Sequence, residues 1–327
     1  MDPVLTKYDC AGIITAKRYD EGVRAEFERS GFVAIAGAVH ADVIDAHLAG
    51  AEQFARENPI DSPITTMTLR EQVCRLRALH AFQERCDGTL NLQAAPLLVA
   101  CLRQILQAEP AALFTTTFGH SPLAGDVDPR LPLSPHLHNF EFVTEPADKF
   151  VLAWIALEDI SVDAGPMWLL PESHRVWAEL PSLLNSAIQD DLTLAAMIKV
   201  AVGGKVSLET WSYLLDKVAV IARGFVERAL RTQPIRPSPV IFEKGDALIF
   251  DPSLLHGTIP PANPRRTRKS CNIRYASNTC RIWNYLELVK DGRSGLLPEH
   301  GFVSDTEQIL GGYIFRDFLG RRYRNLM

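Results

Sequence analysis

The chain has no strong excess of charge of either sign: 34 Lys and Arg stand against 39 Asp and Glu, a formal net charge of −5 over 327 residues. So balanced a chain offers no electrostatic pull on nucleic acid or an anionic membrane surface. Its short basic runs, residues 265–269 and 321–324, read as solvated faces, with Arg268 the member that needs a closer look. No hydrophobic run approaches the roughly 18 residues of a membrane helix. The opening Met1-Asp2-Pro3-Val4 carries an acid and a proline early with no apolar stretch behind them, which excludes a secretory signal by pattern. Six cysteines (Cys10, Cys74, Cys86, Cys101, Cys271 and Cys280) form no CxxC and keep no regular spacing, so they read as reduced thiols, and the cytoplasm is the expected compartment. There is no internal repeat, no low-complexity stretch and no phosphate-cradling glycine loop. What is plentiful is apolar: 47% hydrophobic against 22% charged residues, enough for a real core.

Periodicity divides the chain. Residues 19–30 and 41–57 have helical spacing around a β-rich run at 31–36, and 69–79 and 90–107 read as two more amphipathic helices. From residue 111 the pattern changes to short β-branched and aromatic runs at 113–118, 140–144, 150–157 and 168–170. Residues 175–236 are helical in pattern, broken at Gly203-Gly204, and strand character returns at 240–242, 247–250, 256–258 and 270–275. Helices ahead of many short strands predict an α+β protein whose sheets form a sandwich or barrel. A helical insertion of this length is far longer than an ordinary connection and reads as a lid or an interface.

Three histidines stand out against this background. His136 and His138, in Ser134-Pro135-His136-Leu137-His138-Asn139-Phe140, lie two apart and so share one face of an extended strand. Far downstream, Gly245-Asp246 makes a turn, an apolar strand follows, and His256 comes at its far end. Two imidazoles from one strand and a third from another can hold a first-row transition metal on one side and leave the other side open. Arg268 shares a strand face with Ser270, Asn272 and Arg274. Buried near such a metal, its guanidinium suits the distal carboxylate of a dicarboxylate cosubstrate.

At these residues the chain resembles the phytanoyl-CoA dioxygenase family of Fe(II)/2-oxoglutarate oxygenases. Phe27-Glu28-Arg29-Ser30-Gly31-Phe32-Val33-Ala34-Ile35 looks like the family's opening. The stretches 153–160, 164–174 and 245–256 with Arg268 look like its double-stranded β-helix. The resemblance implies an α+β chain with a jelly-roll, cupin-like core. It also implies one oxygenase domain over 1–327: helical flank 1–110, core 111–174 and 238–280, helical insertion 175–237 and tail 281–327. It places His136 on the first iron ligand, His256 on the last, Arg268 on the 2-oxoglutarate carboxylate and Thr258 on the hydroxyl position beside it. Trp154, Asn139 and Phe140 fall where a pocket would be lined, and His174 on a structural turn.

One position departs. The family pattern is HxD, and the carboxylate position here is His138. Three neutral imidazoles still suit iron, although they discriminate less against zinc and copper. Glu141 is the nearest carboxylate that could serve as an extra ligand, at odd spacing, with Asp251 a weaker candidate. A halogenase leaves the carboxylate position empty, whereas a histidine fills it here. The expected activity is that of an Fe(II)-, 2-oxoglutarate- and O2-dependent hydroxylase-like dioxygenase. It would act on a small organic molecule such as a natural-product intermediate, with no nucleic-acid or membrane partner. The alternatives are a three-histidine oxygenase that cleaves C–C bonds or rings without 2-oxoglutarate, and a non-redox binding protein on the same fold. The aromatic residues of the insertion and tail, Trp177, Trp211, Tyr213, Trp283 and Tyr285, could close over a substrate as a lid, and core packing or a homodimer contact is the plainer reading.

Overall fold

The structure is a computed structural model and describes residues 12–18, 22–57, 86–120, 137–138, 142–145, 149–177, 183, 186–187, 190–203, 217, 220–221, 224–225, 237–259, 261, 268–279 and 281–284. Helix α1 (Val23–Ser30), strand β1 (Phe32–Ile35) and helix α2 (Ala41–Glu57) fall where the apolar spacing puts them. Gly22 and Gly31, both left-handed, bound α1. The single helix expected over 90–107 is instead two, α3 (Asp87–Gln93) and α4 (Pro96–Leu106). Pro96 has no N–H to continue α3 but is favourable in the first turn of a new helix, so the chain breaks at Ala94-Ala95. The helix expected over 69–79 lies outside the described residues.

The strands follow: β2 (Pro110–His120), β3 (Phe142–Glu145), β4 (Phe150–Ala156) and β5 (Met167–Leu169). Then come helices α5 (His174–Trp177) and α6 (Leu192–Gly203), and strands β6 (Ser238–Pro239), β7 (Ala247–Phe250), β8 (His256–Thr258), β9 (Arg268–Ser277) and β10 (Arg281–Asn284). The strand expected over 240–242 is not continuous: Val240 and Phe242 make single bridges, to Ile14 and Ile160. Helical structure is seen in the described parts of the insertion. No single helix among the described residues is long and apolar enough to cross a membrane.

The ladders are antiparallel and make a five-stranded sheet in the order β1-β7-β4-β9-β2, a three-stranded sheet β6-β5-β8 and a two-stranded pair β10-β3. Strand alternation sorts the five-stranded sheet into two faces. Val33, Ile35, Val151, Ala153, Ile155, Ala247, Ile249, Cys271, Ile273 and Tyr275 pack on the helical side, against Ile44, Leu92, Leu98, Leu102 and Leu106. Leu152, Trp154, Ala156, Leu248, Phe250 and Ala276 face the other way and meet Met167 and Leu169 of the smaller sheet. Covered on both faces, β4 and β7 carry no charged residue. This is an α+β chain with a jelly-roll core, and the space between its two sheets is where the candidate residues gather.

Two features of this frame give measurable expectations. Gly245 turns the chain into β7 at φ 97, where a Cβ would run into the Val39 carbonyl oxygen. Its N–H donates to Ala156 O (2.9 Å), and the Asp246 carboxylate beside it accepts the amides of Gly37 (2.8 Å) and Glu243 (3.0 Å). Gly245→Ala combines a left-handed strain with a backbone clash, an expected cost of roughly 3 kcal/mol, read as a fall in the denaturant midpoint at unchanged m-value. The second feature is His47 on α2, buried with Nδ1 3.0 Å from Thr89 Oγ1. Burial lowers its pKa from 6.5 to about 4. Between those values the unfolded chain holds the proton and the native chain does not. Stability is therefore full above 6.5 and falls as the pH drops toward 4, by about 3 kcal/mol in total. His47→Gln is expected to remove that slope from a series of denaturant unfolding curves over this range.

Candidate metal centre

His256 opens β8 directly after a loop that the sequence ties down at several points. The Asp251 N–H donates to Gly31 O (2.9 Å), and Asp251 Oδ1 accepts the Ser253 N–H (2.7 Å). The Leu255 N–H donates to Ser173 Oγ (2.8 Å). Asp251 is thereby engaged in the turn, and burial pushes its carboxyl above the usual range. The same loop receives His138, whose N–H donates to Pro252 O (2.8 Å). The loop thus brings together two histidines 118 residues apart: their Nε2 atoms are 3.2 Å from each other, and the side chains are buried, 6% exposed for His138 and 3% for His256. Their ring centroids lie 4.9 Å apart, with the Phe250 ring edge-on to His256 at 5.0 Å.

The protonation of His256 follows from its neighbour. Nδ1 lies 2.8 Å from Leu254 O, which can only accept, so Nδ1 carries the proton and Nε2 presents a lone pair toward His138. Two ring nitrogens at 3.2 Å share either one proton or one cation. Two ligands roughly 2.0–2.1 Å from one ion reach that separation at an angle of roughly 100°, as adjacent positions of a tetrahedral or octahedral site do. The pair therefore fits a metal. His136, Asn139, Phe140 and Glu141 lie outside the described residues, and no group of three ligating side chains occurs among the described ones.

Arg268 begins β9 and is 5% exposed. Its Nη1 donates to Gly165 O at 2.6 Å, its guanidinium carbon lies 5.6 Å from the Trp154 ring centroid, and its buried Nε has no partner among the described residues. Burial lowers its pKa to about 10, opposed by the charge of Glu158, so it remains a cation at neutral pH. A buried cation with an unused N–H is a site for an anion. Ser270 and Asn272 follow on the same strand face, and Ser270 Oγ and Asn272 Oδ1 are also buried without a partner among the described residues. Thr258 sits two residues beyond His256 on the same strand face, half-buried and paired with Met167.

His174 takes the structural place expected of it, with Nε2 3.3 Å from Glu28 O. Two contributors escaped the sequence reading. The Gly165 carbonyl is a backbone atom, and Ser173 acts through one long-range hydrogen bond. Ala164-Gly165-Pro166 signals a turn but not what the turn faces.

The phytanoyl-CoA dioxygenase (PhyH) family profile matches residues 27–270. The peroxisomal phytanoyl-CoA dioxygenase of Rattus norvegicus is 24% identical over 280 residues, 79% of this chain and 68% of the rat enzyme. The Homo sapiens enzyme is 26% identical over 169 residues, 52% of this chain but only 40% of the human protein's length. Among solved structures, the non-heme alpha ketoglutarate dependent carbocyclase SnoK from nogalamycin biosynthesis superposes with a TM-score of 0.53, covering 90% of this chain and 98% of that one at 14% identity. The epimerase SnoN, in complex with Fe3+, alpha ketoglutarate and nogalamycin RO, gives 0.51 over 86% and 95% at 17% identity. At such identities these two show the fold alone. The family profile spans both the loop that carries the histidine pair and the strand that opens with Arg268, and on that match the chain belongs to the phytanoyl-CoA dioxygenase family.

Proposed function

We propose that the chain is a non-haem Fe(II)- and 2-oxoglutarate-dependent oxygenase that oxidises a C–H bond of a small organic molecule. The observation that carries this reading is the pairing of a 3.2 Å imidazole couple with a buried arginine in one intersheet space. His138 and His256 would hold the metal, with His136 the third ligand and Glu141 within sequence reach as a further one. Arg268 and Thr258 would bind the far carboxylate of 2-oxoglutarate. Iron with 2-oxoglutarate and O2 supplies the oxidative chemistry, the cosubstrate leaving as succinate and CO2. The protein's own work is to hold both carboxylate and substrate still and to keep water out.

Leu152, Trp154, Leu248 and Phe250 pack in the core between the sheets, and a site backed by them would have an apolar wall suited to a largely hydrophobic substrate. Asn139 and Phe140 would add to that wall from the His138 segment. A natural-product intermediate suits these features, and the solved neighbours SnoK and SnoN come from nogalamycin biosynthesis on the same fold. The reading treats the chain as one cytoplasmic oxygenase domain.

The test is anaerobic titration of the Fe(II)-loaded protein with 2-oxoglutarate, followed by the weak visible charge-transfer band of the chelated oxo acid. The expected result is a saturable band, and succinate formation once air is admitted. Iron binding without a band would overturn the 2-oxoglutarate assignment in favour of a three-histidine oxygenase. Failure to bind iron would leave a non-redox protein on an oxygenase fold.

A further inference from the structure

On the face of the five-stranded sheet that looks toward the smaller sheet, β4 presents Leu152, Trp154 and Ala156, and β7 presents Leu248 and Phe250. β9 breaks the apolar pattern. Ser270 is in register with Ala156, Asn272 with Trp154 and Arg274 with Leu152, so these polar residues share the inward face. Among the described residues, the polar side chains of this face come from β9 alone.

Asn272 is the residue in this row that the fold itself does not explain. It is 9% exposed, and its Oδ1 is buried with no hydrogen-bond partner among the described residues. Ser270, fully buried, leaves its Oγ in the same condition. Buried polar atoms are seldom left unpaired, because each has given up water without a replacement. Register fixes where the amide lies. The Asn272 row continues through Trp154 to Leu248, and the next row holds Arg274, Leu152 and Phe250. The Phe250 ring lies 5.0 Å from the His256 ring and 6.4 Å from that of His138. In the other direction Arg268 stands two inward positions away, ~13 Å along the strand, with Ser270 between. Asn272 therefore occupies the stretch between the arginine and the row beneath the histidines.

We infer that Asn272 is a substrate-binding residue whose side-chain amide takes a hydroxyl group of an otherwise apolar, uncharged substrate. The inference rests on the 2-oxoglutarate reading above and names the chemistry of the primary substrate. Oδ1 only accepts, which excludes a carboxylate as its partner, and it brings no charge to compensate a buried ammonium. A hydroxyl both donates and accepts, so it can satisfy Oδ1 and pass a hydrogen bond on to Ser270 Oγ. Leu152, Trp154 and Leu248 supply the apolar surroundings for the rest of the molecule.

The experiment uses matched probes that differ by one group, cyclohexanol against methylcyclohexane and benzyl alcohol against ethylbenzene. Each is titrated onto the anaerobic protein loaded with Fe(II) and 2-oxoglutarate, and binding is read from Fe(II)-induced broadening of the probe's proton resonances. At least one alcohol is expected to bind about fivefold more tightly than its hydrocarbon partner, the worth of about one net hydrogen bond. Asn272→Leu, close to asparagine in size, is expected to bring that ratio to about one. It should leave the Kd of 2-oxoglutarate, read by the visible band, unchanged. It should also raise the melting temperature of the ligand-free protein by about 2–4 °C, because an unpaired buried amide is removed. A lower melting temperature would make Asn272 a structural residue satisfied within the fold, and overturn the assignment. Tenfold weaker 2-oxoglutarate binding would make it a cosubstrate contact, with the same consequence. So would a parent with no preference for either alcohol, or a preference that survives in Asn272→Leu. A parent that forms no visible band fails at the cosubstrate reading, and the inference falls with it; a parent with a normal band and no alcohol preference loses the Asn272 assignment alone.

Discussion

His256→Ala is expected to lose Fe(II) affinity by at least about 100-fold, beyond the 10–100-fold typical of an outer-shell partner, because a ligand itself is removed. The side chain sits where the metal site is most constrained. Its Nδ1 is tied to Leu254 O at 2.8 Å, the Phe250 ring lies against its edge, and its Nε2 meets His138. The substitution also leaves the Leu254 carbonyl without this donor, a stability cost of about 1–3 kcal/mol. The two effects separate in His256→Gln, whose amide can replace the donor to Leu254 or reach toward the metal but not both. Metal content after reconstitution and dialysis, read with thermal unfolding of the metal-free protein, distinguishes them. A His256→Ala protein that retains stoichiometric iron would remove the histidine pair as the basis of the metal site.

How much of this was legible in the sequence depends on the range of the interaction. Local patterns carried far: α1, β1 and α2 lie where spacing and the Gly31 boundary put them, and the period of two along β9 correctly places Arg268, Ser270 and Asn272 on one face. The split of the 90–107 helix turned on Pro96, a residue that reads either as a breaker or as a first-turn residue until the second helix is seen. Long-range choices were not visible. That the Gly165 carbonyl meets Arg268 depends on the turn before β5 and the start of β9 arriving at one point, and spacing along the chain does not encode that. The histidine pair is an intermediate case. The His256 segment suggested a remote partner for His138, but Leu137 and His138 lie outside any strand rather than on the expected strand face, and the Pro252 carbonyl that docks the His138 backbone belongs to tertiary structure.

Arg268→Met is expected to separate function from stability. The methionine keeps much of the apolar stem that packs beside Trp154 and discards the charge. Losing one member of a buried ion pair formed only when the cosubstrate binds is worth about 3–5 kcal/mol, so KM for 2-oxoglutarate should rise by roughly 10²- to several 10³-fold. Folding should respond in the opposite sense. Without ligand, Arg268 is a desolvated cation whose side chain has, among the described residues, one hydrogen bond, a ring contact and an unpaired Nε, and burial pulls its pKa down to about 10 against the opposing charge of Glu158. Removing such a charge relieves several kcal/mol of desolvation and leaves the Gly165 carbonyl without this donor at about 1–3 kcal/mol, so stability should be unchanged or slightly raised. The metal-free variant should therefore melt at or above the parent temperature while failing to saturate with cosubstrate. Arg268→Lys sharpens the point. Its single ammonium keeps the charge but cannot reach the Gly165 carbonyl and also present a planar fork, so it should restore little of the lost affinity. A lower melting temperature with normal cosubstrate saturation in Arg268→Met would make this arginine a structural residue and leave the anion site without its cation.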